Sequence, residues 1–175
     1  RQKVRQAINQ RDPQIRVVAM HIASLNRDAG AKENLLLVLA AGKPHEKRVA
    51  AEALGRLKDA SVVRDLMRAS AGKDLDRTLE HSLTFALIEI GQAEPIRANM
   101  KLAPKAALIA LSQIPGAMTA KELAPYLSEK GEIRKTAEWI AAKHPDWGAD
   151  FAEIFRKHPD LKSIEPLLAR LAGAA

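Results

Sequence analysis

Apolar residues return at steps of three and four along most of this chain. In "IRVVAMHIASL" (15–25), "KRVAAEALGRL" (47–57) and "IRKTAEWIAAK" (133–143) they fall on one side of a helix. More degenerate stretches, "SLTFALIEIG" (82–91) and "AALIALSQIPG" (106–116), keep the same period. Between them run shorter amphipathic segments: "AKENLLLVLAA" (31–41), "ASVVRDLMRAS" (60–70), "TAKELAPYLSE" (119–129) and "DWGADFAEIFRK" (146–157). No run of alternating β-branched and aromatic residues stands out, so the pattern predicts helices and no strands.

Start and stop signals agree with that division. Asp59 precedes Ala60, and Thr119 stands three residues before Glu122, the spacing of a capping box. Gly42, Gly72, Gly91, Gly116 and Gly131 punctuate the ends. At 143–146 and again at 157–160 the chain reads Lys-His-Pro-Asp. Proline stops a helix, Lys and His suit the end of the preceding one, and Asp suits the start of the next. The competing reading, His144 with Asp146 and His158 with Asp160 as ligands or acid–base groups, lacks a third protein ligand at a recognisable spacing.

The long segments align with one another. At an offset of 32, Arg16 meets Arg48, Ala19 meets Ala51, Ile22 meets Leu54 and Leu25 meets Leu57. Ile15, Arg16, Ala19 and Ile22 match Ile133, Arg134, Ala137 and Ile140 in the same way. A period of about 30 residues with two helices per unit describes a solenoid, in which each pair buries its apolar face against its neighbours. The expected fold is all-α: a right-handed α-α superhelix of about five helix pairs, one domain over 1–175, with "SIEPLLARLA" (163–172) as a terminal helix.

Composition narrows the chemistry. The core must be built from Ala, Leu, Ile and Val, because aromatics make up only 3% of the chain. With no cysteine, disulfides, thiolate metal sites, a cysteine nucleophile and c-type haem attachment are excluded within it. No apolar stretch reaches the roughly 18 residues of a membrane span, so no membrane insertion is expected. The first residues, with Val4 and Ile8, read as the end of a helix already under way, and the chain as a piece of something longer.

The repeats resemble HEAT repeats. Asp12-Pro13 followed by Arg16, Ala19, Ile22 and Leu25 is similar to the first helix of that family. A narrower resemblance covers 79–91, 107–127 and 133–148. These are similar to the HEAT segment of large secreted bacterial proteins, where it lies between a β-propeller-like membrane-bound dehydrogenase domain and a cytochrome c domain. The matching positions are Glu80, His81, Ala86 to Ile90, Ala107 to Leu111, Trp139, His144, Pro145 and Trp147. This chain carries neither propeller nor haem-binding cysteines, so neither activity is carried over and no cofactor is expected. The resemblance implies an extracytoplasmic spacer or docking module.

No HExxH, GxSxG or phosphate-type glycine loop occurs, and no titratable group is argued into a pocket, so no catalytic or metal-binding residues are expected. His81 reads as a buried polar anchor, and Trp139 and Trp147 as core filler at a helix pair. His21 and His45 read as surface or helix-terminal residues. Net charge is +7, of which residues 1–50 hold +6. Arg11, Arg16, Lys43, Lys47 and Arg48 form a candidate basic patch. Exposed residues of the second helices, Lys32, Arg64, Arg68 and Lys121, are candidate partner contacts. The expected function is a non-catalytic scaffold that binds a protein or spaces flanking domains. The alternative is nucleic-acid binding, as in HEAT-like alkylpurine DNA glycosylases, with the basic patch on phosphates. The aromatics needed for base stacking fall mostly in the last third of the chain, away from that patch.

Overall fold

The computed structural model describes residues 1–72 and 75–157. Among these every regular element is helical: α1 (Gln2–Ala7), α2 (Pro13–Leu25), α3 (Lys32–Ala41), α4 (Pro44–Leu57), α5 (Val63–Ser70), α6 (Arg77–Ile90), α7 (Ala93–Ala98), α8 (Pro104–Gln113), α9 (Ala120–Leu127), α10 (Gly131–Ala141) and α11 (Gly148–Lys157). The expected terminal helix at 163–172, with His158 and Asp160, lies outside the described residues. The other expected helices are present, and α7 is one that periodicity did not mark. The chain divides into two compact units, 1–110 and 111–175, with the boundary inside α8.

In the first unit, α4 packs against α2, α3 and α6, and α5 packs against α3, α6 and α7. Local signals set the helix starts. Asp12 accepts from the Gln14 N–H at 2.8 Å and Asp76 from the Leu79 N–H at 2.8 Å. Pro13 and Pro44 open α2 and α4, where a missing N–H costs nothing. After each long helix the chain turns through a left-handed residue: Arg27 (φ 45°), Lys58 (φ 55°) and Gly91 (φ 69°). Asp28 and Asp59 then accept from Gly30 N and Ser61 N, at 3.3 and 2.9 Å, and open short 3₁₀ turns into α3 and α5.

These markers correct the register. Pro13 to Pro44, Arg27 to Lys58 and Asp28 to Asp59 are each 31 apart, and Asp12 answers Lys43 at the same step. Burial agrees: Ala19, Met20, Ala23 and Ser24 correspond to Ala50, Ala51, Leu54 and Gly55, all buried. The offset of 32 instead pairs buried Met20 and Ser24 with the half-buried Glu52 and Arg56. A helix face about 100° wide tolerates a slip of one residue, and the run of alanines in α4 hides it. Caps and turns fix the register because each depends on one backbone geometry.

The core of this unit comes from small and aliphatic residues, with Leu35, Leu54, Leu66, Met67, Leu83, Leu87 and Ile96 fully buried. Buried carboxylates are bound. Arg5 grips Asp28 through Nε at 2.8 Å and Nη2 at 2.6 Å. Arg16 on α2 holds Glu46 at the start of α4, and Glu46 also accepts from the Lys43 N–H at 3.0 Å.

In the second unit, α9 packs against α10 and α11. The capping box closes as expected: Thr119 N donates to Glu122 Oε2 at 2.9 Å and Glu122 N to Thr119 Oγ1 at 3.3 Å. The first Lys-His-Pro-Asp is punctuation. After α10, Pro145–Trp147 makes a 3₁₀ turn into α11. Asp146 caps nothing; its carboxylate lies 3.8 Å from His144 Nδ1, and the His144 ring stacks on Trp147 at 3.9 Å. Trp147 meets Phe151 edge-on, and the rings of Phe151 and Phe155 stack. Trp139 is not core filler: the residue is 45% exposed, with Lys143 Nζ 3.8 Å from its ring centroid.

Candidate interaction groove

The four helices α3, α4, α5 and α6 leave a cleft of about 560 Å³ in the first unit. Its lining is mainly aliphatic: Leu36 and Leu39 from α3, Leu75 ahead of α6, and Leu79 and Leu83 from α6. Gly42 and Pro44, where the chain passes from α3 into α4, also line it. Three charged side chains edge it: Lys47 of α4, and Asp65 and Arg68 of α5. Arg68 Nη1 lies 3.5 Å from Asp65 Oδ1, a long contact between two largely solvated groups. Such a pair contributes little to stability and leaves Arg68 able to reorient. Among the described residues the cleft thus combines an apolar floor with two cations and one carboxylate.

The structure separates the sequence candidates by what already holds them. Arg16 is committed to Glu46 and to the carbonyls of Gln10 and Arg11. Lys32 bridges Asp59 at 3.1 Å and Ser61 at 3.3 Å. Arg48 lies 3.9 Å from Glu52. Arg11 is exposed before α2, Lys43 is the exposed residue that begins α4, and Arg64 is exposed on α5. Lys121 is exposed on α9, in the second unit. Only Lys47 and Arg68 of the set line the same cleft.

Electrostatics explains which carboxylates are spent. Hydrogen bonds from Ser61, then Lys32, hold Asp59 down at about 2. The Arg5 guanidinium lowers Asp28 against the opposing effect of burial. Burial pushes Glu46 up, but the Lys43 N–H and Arg16 outweigh it and leave it below its ordinary value. These groups are fixed charges of the scaffold. None of them lines the cleft.

His81 is not a buried anchor. It is exposed on α6, its ring 6.3 Å from that of Phe85, beside a smaller hollow lined by Glu52, Arg56, Ser82 and Glu89. The buried polar groups of α6 are Ser82 and Thr84, bonded to Glu52 and to the Glu80 carbonyl. His21 and His45 are exposed, as expected. Sequence reasoning missed Asp65 and the leucine floor, since nothing in a helical period says which two helices splay apart. No helix among the described residues is long and apolar enough to cross a membrane. The chain matches no protein-family model and no curated protein.

Proposed function

We propose that this protein is a non-catalytic helical-repeat scaffold of the HEAT type, and that the cleft between α3, α4, α5 and α6 takes an acidic, leucine-bearing segment of a partner protein. The observation that carries this reading is that Lys47 and Arg68 both line one largely aliphatic cleft. An apolar side chain on the floor would supply contact area, and carboxylates beside it would meet the two cations. The hydrogen bonds that commit Arg16 to Glu46 favour a protein ligand over nucleic acid, because they withdraw its charge from the patch that phosphates would need.

Fluorescence anisotropy tests it, with a labelled peptide of alternating leucine and glutamate pairs and, separately, labelled duplex DNA. The peptide is expected to bind, and Lys47→Glu or Arg68→Glu to weaken it about tenfold, or ~1.4 kcal/mol. Peptide binding that ignores both substitutions, or DNA binding that falls steeply with salt, would overturn the reading.

A further inference from the structure

The long helices of the first unit can be compared position by position. Counting from their caps, the third, sixth and tenth residues are Glu46, Val49 and Ala53 in α4, and Leu79, Ser82 and Ala86 in α6. All six are buried, none more than 5% exposed. They form the face that receives the preceding long helix. Glu46 takes Arg16 of α2, Ser82 donates to Glu52 of α4 at 3.3 Å, and Ala86 lies against Gly55 of α4.

In α2 the same positions are Ile15, Val18 and Ile22, exposed by 47, 56 and 40%. Leu25, at the next step on that face, is 75% exposed. These residues are more uniformly apolar than their covered counterparts, which include Glu46 and Ser82. Shallow hollows flank the ridge. One runs between α1 and α2, with Lys3, Val4 and Ala7 beside Ile15, Val18 and Ile22; the other lies by Pro13, Val17 and His45. A ridge between two grooves is the surface that helix packing uses, and isolated exposed aliphatics elsewhere, such as Leu37 and Leu102, form no such row.

We propose that the α2 face seats a helix of a partner protein, amphipathic, with an apolar stripe bordered by carboxylates, laid on α2 as α2 is laid on α4. Continuity with the α2–α4 and α4–α6 contacts argues for the helix and its placement. Charge argues for its edges. Lys3 and His45 stand in the flanking hollows, Arg11 is exposed just before α2, and no carboxylate lines either hollow. Acids close by in the chain or on the packed helices are engaged: Asp12 caps α2, Asp28 is gripped by Arg5, and Glu46 is held by Arg16. The same excess of positive charge opposes a second copy of this chain docking face to face. This inference uses a different surface from the cleft and stands apart from the function proposed for it.

The probe is a synthetic amphipathic helix locked by lactam bridges, with leucine at i, i+3 and i+7 and glutamate on both borders, titrated against the protein by calorimetry. Binding is expected, with slowed amide exchange in α2. Val18→Glu and Ile22→Glu should each weaken it by about tenfold or more. The titration is run on protein carrying Lys47→Glu and Arg68→Glu, which blocks the cleft proposed above, so that only the α2 face can take the probe. Because these side chains are exposed, the variants should unfold at the midpoint of the parent protein; Leu25→Glu serves as a second, still more exposed variant. The proposal is overturned by absence of binding, by equal binding to Val18→Glu, or by equal binding of a lysine-bordered helix. It is also overturned by a dimer in sedimentation that Val18→Glu dissolves, which would make the occupant a second copy.

Discussion

A β-carbon placed on Gly55 would lie 2.8 Å from the Cα of Ala86 and 3.1 Å from its Cβ. Helices α4 and α6 therefore meet backbone to backbone, and the glycine is there for the approach and not for a turn. Intrinsic propensity favours Gly55→Ala by about 1 kcal/mol. Contact opposes it, since overpacking typically costs about 1–3 kcal/mol. We expect a net loss of about 1 kcal/mol by chemical denaturation. Gly148→Ala, where nothing stands within 4 Å of the added carbon, should show no loss. Equal effects at the two sites would mean that α4 and α6 are not in such close contact.

Acid should destabilise the fold through its turn carboxylates. Asp59 sits at about 2 in the folded protein against an ordinary 3.8. As pH falls from about 4 towards about 2, the unfolded chain takes up this proton before the folded one does. Stability is therefore full above that window and lost on descending through it. Asp28 and Glu46, also lowered, act in the same direction. Thermal unfolding followed across that pH range should show the slope, and Asp59→Asn should flatten it. An unchanged slope in Asp59→Asn would remove Asp59 from the account.

Lys58 holds a left-handed conformation at the end of α4, where α6 uses Gly91. The side chain costs energy there that glycine does not. Lys58→Gly should raise stability by roughly 0.5–1 kcal/mol, although glycine also loses more entropy on folding. A urea midpoint that stays put or falls would show that Lys58 is not held at positive φ in solution.

Leu54 and Ile22 test whether the α2 face is open. Leu54 is fully buried, and Leu54→Ala should cost about 2–5 kcal/mol. Ile22, on the uncovered ridge, should cost less than about 1 kcal/mol when cut to alanine. Comparable losses at the two sites would mean that something in the isolated protein already covers α2.

The sequence by itself determined what acts within a turn or two of helix. Asp12-Pro13, Thr119 with Glu122, and the first Lys-His-Pro-Asp mark helix boundaries because capping and proline geometry involve residues only a few places apart. The apolar period likewise announced an all-helical chain. It did not fix the register of 31 between α2 and α4, because an apolar stripe looks almost the same after a slip of one residue. Nor did it decide exposure: His81 on α6 and Trp139 on α10 face solvent, while Ser82 and Glu46 are buried. A stripe says that a face is apolar, and only the neighbouring helix says whether it is covered. The cleft with Lys47 and Arg68, the contact of Gly55 with Ala86 and the bare ridge of α2 were decided there. Each depends on the distance and angle between elements far apart in the chain.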